Sequence, residues 1–369
     1  MARLTEEEQI SLSARIRGHL AGSQYECSSL TLLGGGSANF VYRGVLVTPL
    51  PSGAETVIVK HTTGFLAVSR DFKIDVSRCN VEASMLNALH GLPFQTPRLL
   101  FFDRGNKIQV HEDFPTAQGL EPILASPAMS RELATSVGRD LGACLRSFHD
   151  WVSQPAQRGL AAEIQCNEPM RDLNFSTTYK TFIGVLEKFP GVVDGYYRDV
   201  LEEVKAMATA EFARQPSDGD DDSWGLIHGD YWGGNVLLTA APSSDCSNHL
   251  LVIDWELSQY GHRAYDLGKM FGDLFEKRFL DGAEGIVWVI EGFVDGYGQM
   301  SEELAFRTAI HTGTQFIHWY VRRPPNAELL AAPEKIAEGM KLGRDLIVKG
   351  WMRDKEWFKR TPLAPLYRD

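Results

Sequence analysis

The stretch Ile227-His228-Gly229-Asp230-Tyr231-Trp232-Gly233-Gly234-Asn235-Val236-Leu237-Leu238, followed by Leu250-Leu251-Val252-Ile253-Asp254-Trp255-Glu256, holds the densest chemistry in the chain. Two apolar runs of β character each deliver polar groups at their ends. Asp230 follows the first run in a glycine-rich loop, where a carboxylate can align an attacking hydroxyl and take up its proton. Asn235, five residues on, offers an amide oxygen and Asp254 a full carboxylate to Mg²⁺ ions that also carry phosphate charge. Glu256 shares that metal if its segment is still extended, because strand residues two apart point the same way. His228 suits orienting the loop by hydrogen bonding rather than moving a proton, and Asp266 suits tying the loop's backbone N–H groups. These are the parts that phosphoryl transfer requires.

Upstream, Leu32-Leu33-Gly34-Gly35-Gly36-Ser37-Ala38-Asn39-Phe40-Val41-Tyr42-Arg43 is a glycine triplet running into an alternating strand. Such a turn is either a plain hairpin or, through Gly34, Gly35, Gly36, Ser37 and Asn39, a backbone cradle for a polyphosphate. Position favours the cradle. The next strand, Thr56-Val57-Ile58-Val59-Lys60-His61, ends its apolar run in a lysine that in the kinase pattern reaches the α- and β-phosphates. Such a lysine needs a carboxylate from a following helix. The segment from Asp71 to Leu89 reads as that helix, with Val81, Met85, Leu86 and Leu89 toward the core. Glu82 is the candidate partner of Lys60; the competing reading pairs Glu82 with Arg78 on the surface.

Strands at 97–103 and 107–110 are joined by an Arg104-Gly105-Asn106 turn, and the second empties into His111-Glu112-Asp113-Phe114-Pro115. This reads as a hinge at 111–116, whose backbone around Glu112 and Phe114 can hydrogen-bond an adenine edge; Glu112 and Asp113 read equally as ordinary loop carboxylates. Beyond it the pattern turns helical. Leu133, Val137, Leu141, Cys144, Leu145 and Phe148 predict a buried helix over 131–152, with His149 a satisfied structural histidine at its end. At the N-terminus, Thr5 and Glu8 form a capping box ahead of a stripe of Ile10, Leu12, Ile16 and Leu20. The acidic run Asp218-Gly219-Asp220-Asp221-Asp222 lacks EF-hand spacing and reads as a solvated connector.

The 369 residues exceed what one core usually serves, so two packed units are expected. A net charge of −11 argues against a nucleic-acid partner, because it repels the phosphate backbone. Five scattered cysteines without a Cys-x-x-Cys pair argue against disulfides and zinc. No signal peptide or apolar span is evident, so a cytoplasmic protein with no membrane contact is expected, as a monomer or homodimer.

At His228-Gly229-Asp230, Asn235, Asp254 and Asp266-Leu267-Gly268 the chain resembles the aminoglycoside phosphotransferase and choline kinase superfamily. Within it, the glycine triplet and Asp254-Trp255-Glu256 with Tyr260-Gly261 are similar to the methylthioribose kinase branch, and Phe72-Lys73-Ile74 to the fungal 4-hydroxytryptamine kinases. The resemblance implies an α+β, bilobal protein-kinase-like fold, with an antiparallel β-sheet lobe carrying one main helix over 1–110 and a larger, mostly helical lobe over 117–369. It implies ATP and Mg²⁺ as cofactors, Asp230 as base, Asn235, Asp254 and Glu256 as metal ligands, and a small hydroxyl-bearing substrate, with an amine-bearing aromatic alcohol, a thiosugar, a choline-like alcohol and a natural-product intermediate all open. Trp232, Trp255, Trp319 and Arg322 are the substrate-side candidates. Pro324-Pro325 after Arg322-Arg323 departs from the helix of methylthioribose kinases, which weighs against that substrate. Only eleven residues separate Asp254 from Asp266, too few for a protein-kinase activation segment. The remaining alternative is a non-catalytic nucleotide-binding scaffold.

Overall fold

The structure, a computed structural model, describes residues 3–34, 36–89, 91–126, 129–165, 167–217, 222–239, 249–322 and 330–368. Gly35, Asp218 to Asp221, Cys166, Cys246 and Arg323-Pro324-Pro325 lie outside the described residues. The chain forms two compact units, Met1–His90 with Thr96–Ala117, and Gly91–Gln95 with Gln118–Asp369.

The first unit opens on helix α1 (Glu6–Leu20). Its Thr5 hydroxyl accepts from Glu8 N while Glu8 accepts from Thr5 N, the reciprocal cap its sequence predicts. Leu12, Ile16 and Leu20 are buried, whereas Ile10 is 62% exposed and leaves the expected stripe. The strands are β1 (Cys27–Leu32), β2 (Phe40–Leu46), β3 (Thr56–His61), β4 (Phe65–Leu66), β5 (Ser69–Lys73), β6 (Leu99–Asp103) and β7 (Ile108–Glu112). Five of them make one antiparallel sheet in the order β1-β2-β3-β7-β6. Val57, Val59, Ile108 and Val110 on its inner strands join α1 in one apolar core. Helix α2 (Arg78–Ala88) is shorter than the segment from Asp71 predicted. Phe65 pairs with Lys73 and Leu66 with Ser69, so 69–73 is the second arm of a hairpin. Asp75 then accepts from Ser77 N at 2.7 Å, a local turn that delays the helix to Arg78.

The second unit contains α3 (Leu120–Leu124), α4 (Arg131–Val152), α5 (Arg158–Ile164), α6 (Glu168–Thr177), α7 (Phe182–Leu186), α8 (Gly195–Ala213), α9 (Ala264–Glu276), α10 (Ile286–Tyr297), α11 (Glu302–Arg322), α12 (Pro333–Trp351) and α13 (Lys355–Phe358). The strands among them are β8 (Gln118–Gly119), β9 (Trp224–Ile227), β10 (Val236–Leu238), β11 (Leu250–Val252) and β12 (Gln259–His262). Helices α4 and α10 meet backbone to backbone. Gly138 and Gly142 lie against the carbonyls of Val289 and Phe293, and Gly292 and Gly296 against those of Thr135 and Arg139, so a Cβ at any of the four would collide. No helix among the described residues is long and apolar enough to cross a membrane.

Candidate active site

In the first unit, the β3 register buries Val57 and Val59 on the core face, and alternation turns Lys60 to the opposite face. Gln109, which pairs with Lys60 across the ladder, donates from Nε2 to Cys79 O of α2 at 2.7 Å, so that helix lies over this face. Lys60 Nζ accordingly donates to Glu82 Oε1 at 2.7 Å, with the two side chains 6% and 2% exposed. A buried pair of this kind holds both partners in place, because breaking it by removing one is costly. Arg78, fully buried, is no surface partner. It donates to the Thr63, Asp75 and Ala38 carbonyls and to Asn39 Oδ1 at 2.9 Å, stitching the start of α2 to the chain beside the glycine turn. That turn is the tip between β1 and β2, where Gly34, Gly36 and Ser37 are exposed.

At the expected hinge, Glu112 is still strand. Its N–H donates to Arg98 O and its carboxylate takes the Arg98 guanidinium at 3.1 Å. Asp113 is held by Arg43 at 2.8 Å and by the Thr56 hydroxyl at 2.7 Å, and Phe114 O accepts from Ala117 N.

In the second unit, β9 pairs with β12 and β10 with β11, so the loop 228–235 hangs between two short ladders and faces the loop 253–258. The loops are cross-linked: Ile253 N donates to Asn235 O at 3.0 Å, and the His228 ring meets Ile253 O through Nε2 at 3.1 Å. Asp230 N donates to His228 Nδ1 at 3.2 Å, which fixes the neutral tautomer with its proton on Nε2. Burial holds the His228 imidazole below its ordinary pKa against the raising influence of Asp266, Asp230 and Asp254. With both ring nitrogens engaged, His228 orients the loop.

Asp266, wholly buried at the start of α9, accepts from His228 N at 2.8 Å and Gly229 N at 2.9 Å. His149 Nε2 reaches the same carboxylate at 3.2 Å while Nδ1 meets Tyr297 OH at 2.9 Å, a histidine with both nitrogens satisfied. Gly229 has φ 79°, and a Cβ there would strike Leu257 O, so this position excludes a side chain on two grounds.

Asp230 is gripped on both oxygens. Lys269 Nζ lies 2.8 Å from Oδ1, and Asn235 Nδ2 donates to Oδ2 at 2.9 Å and to the Asp230 carbonyl at 2.9 Å. Burial alone would raise the Asp230 carboxyl, but the Lys269 ammonium, His228 and the Asn235 bond outweigh it and hold the pKa below the ordinary value. Lys269 was not anticipated, although its place three residues after Asp266 on one helix was a readable signal. Asn174 and Asn167 were also missed. Asn174 Nδ2 donates to Gly229 O, and Asn167 Nδ2 donates to the Glu256 and Ser258 carbonyls.

Because Asn235 spends its Nδ2 on Asp230, its amide oxygen is the atom left for a cation. Asp254 sits in the left-handed region, φ 68° and ψ 53°, which a non-glycine residue adopts at some cost and which recurs at functional sites. An amide oxygen and a carboxylate from neighbouring loops are hard donors that suit Mg²⁺, which takes its other ligands from phosphate and water. Glu256 does not meet its condition. Trp255–Leu257 is a 3-10 turn, so Asp254 and Glu256 do not share a strand face, and Glu256 is completely buried.

Two aromatic substrate candidates are corrected. Trp255, 1% exposed, packs between Phe94, Phe148 and His228, and Trp319 is likewise buried within α11, so neither ring has a face to offer. Trp232 is half-buried. Arg322 is paired with Glu276 at 2.5 Å.

Residues 46–307 match the phosphotransferase enzyme family, APH. A phosphotransferase named FrzJ from a Cladobotryum species is 30% identical over 390 residues, spanning 98% of each chain. A 4-hydroxytryptamine kinase of Psilocybe cyanescens is 28% identical over 265 residues, 69% of each chain. Among solved structures, a choline/ethanolamine kinase family protein from Mesorhizobium loti aligns with a TM-score of 0.52 at 17% identity, covering 96% of this chain and 99% of that one. The amicoumacin kinase hAmiN, solved with AMP-PNP, Ca²⁺ and Ami, aligns with a TM-score of 0.52 at 13% identity over 94% and 96% of the two chains. The fold is therefore kinase-like.

Proposed function

The chain belongs to the phosphotransferase enzyme family and is a small-molecule phosphotransferase, and from that premise we propose that it transfers the γ-phosphoryl group of ATP to a hydroxyl of a small metabolite, with Mg²⁺. The observation that carries this reading is Asp230: an anionic carboxylate fixed on both oxygens, on a loop whose backbone is anchored by Asp266. Each Asp230 oxygen has a second lone pair, so it can accept the acceptor's O–H while Lys269 and Asn235 stay bound. The acceptor oxygen then attacks the γ-phosphorus, the bond to the β,γ-bridging oxygen breaks with ADP leaving, and the hydroxyl proton passes to Asp230.

Lys60, held by Glu82, is assigned to the nucleotide's α- and β-phosphates, and the backbone at Gly34, Gly36, Ser37 and Asn39 to the phosphate chain. Asn235 and Asp254 would hold the metal, which supplies charge neutralisation on the phosphates when bound. The acceptor reading favoured is a hydroxylated amine of the 4-hydroxytryptamine type. The naming of relatives supports it.

The test is ADP release and ³¹P NMR of product with ATP, Mg²⁺ and a panel of hydroxyl-bearing metabolites that includes 4-hydroxytryptamine and methylthioribose. The reading expects turnover of an amine-bearing alcohol, abolished in Asp230→Asn with ATP affinity nearly intact. ATP binding without turnover of any member would move the chain to the scaffold alternative.

A further inference from the structure

Helix α9 grips the loop 228–233 along one of its faces. Asp266 takes the N–H groups of His228 and Gly229, Lys269 takes the Asp230 carboxylate, and Asp273 takes Gly233 N at 3.2 Å. Lys277 then holds Asp273 at 2.7 Å and Glu121 at 3.1 Å. These four residues stand at positions 0, 3, 7 and 11 of a helical repeat, so they share one stripe, with acid and base alternating. The first three follow the loop in order, Asp266 at 228 and 229, Lys269 at 230 and Asp273 at 233. Three of the four act on backbone or on each other. Lys269 alone touches the side chain to which the proton is assigned.

We propose that Lys269 is a positioning residue for Asp230, and that α9 acts as a template setting the loop's spacing through Asp266, Lys269 and Asp273. This rests on the assignment of Asp230 as base. Among the described residues, the other side chain bonded to the carboxylate is Asn235, which lies on the same loop. Lys269 comes from a rigid element outside the loop, so it converts a local arrangement into one referenced to the helix. The two side chains are 18% and 20% exposed, a setting where an ion pair is screened less than on the open surface while the carboxylate stays reachable.

The experiment compares Lys269→Met, Lys269→Arg, Asp230→Asn and the Lys269→Met/Asp230→Asn double variant. ADP release is followed with ATP and Mg²⁺, both with 4-hydroxytryptamine and with water alone as acceptor, and crystal structures are determined of wild type and Lys269→Met. The expected result is a kcat lowered about 10- to 100-fold in Lys269→Met, as for a misplaced reacting group, with KM for ATP within about twofold. Lys269→Arg should recover most of it, the double variant should be no slower than Asp230→Asn, and the Lys269→Met crystal should show the Asp230 carboxylate turned from its wild-type position. Wild-type kcat in Lys269→Met beside a dead Asp230→Asn overturns the role of Lys269 and leaves the base assignment standing. Wild-type kcat in Asp230→Asn overturns the base assignment itself. An Asp230 unmoved in the Lys269→Met crystal overturns the proposal whatever the rates.

Discussion

The two candidate sites are held in opposite ways. In the first unit a buried ion pair, Lys60 with Glu82 at 2.7 Å, joins a strand to a helix. In the second unit Asp230 belongs to a grid: backbone N–H groups end on Asp266, side chains come from Asn235 and Lys269, and the neighbouring loop is tied in through His228 and Ile253. A buried pair is brittle, since removing one member is costly. A grid spreads position over many contacts, so losing one member shifts geometry before it breaks the fold. This difference suits the assigned tasks, because holding phosphate needs one fixed charge while proton transfer needs an exact approach.

The largest break in that comparison should come from Asp230→Ala, with kcat lowered by about 10²- to 10⁴-fold, as for loss of a general base, and nucleotide affinity nearly intact by calorimetry. Next comes Asp266→Ala, which strands two buried backbone N–H groups at about 1 to 3 kcal/mol each. Denaturant unfolding should record that loss and kinetics a fall in kcat, because Asp266 anchors the same loop. In the first unit, Glu82→Ala should cost about 3 to 5 kcal/mol by removing the carboxylate paired with the buried Lys60 ammonium. The double change Lys60→Met/Glu82→Leu should restore stability without restoring ATP affinity. Should the double variant bind ATP like wild type, the pair is structural and the comparison fails on that side.

The smallest effect is shared by both units. Burial depresses His111 to about 3 and His61 and His318 to about 4, against 6.5 for a free histidine. Each binds its proton more weakly in the folded chain, so below pH 6.5 the unfolded chain takes up protons first and stability falls. The melting temperature should hold above about pH 6.5 and decline progressively toward pH 4, and replacing His61 or His111 with Gln should flatten the slope. An unchanged slope in both variants would show that neither histidine carries the acid sensitivity.

Much of the second site was legible because its groups sit at fixed spacings on one continuous stretch. Asp230, Asn235 and Asp254 are placed by two strand ends, and alternation along β3 was enough to aim Lys60 away from the core. What escaped reading depended on packing. Residues 69–73 formed a hairpin arm because pairing with β4 outcompeted their helical pattern, and Trp255 went inward because Phe94 and Phe148 enclose it. Glu256 was judged by strand geometry, and a 3-10 turn removed the premise.

The chain's order of residues determined by itself that a carboxylate, an amide and a second carboxylate would stand at strand ends, since local spacing and alternation need no distant partner. Only the tertiary structure decided that Lys269 would hold the first of them. That contact spans from Asp230 to a helix beyond β10, β11 and β12, and it forms because Asp266, Asp273 and the absence of a side chain at Gly233, where a Cβ would meet Asp273, let α9 lie along the loop.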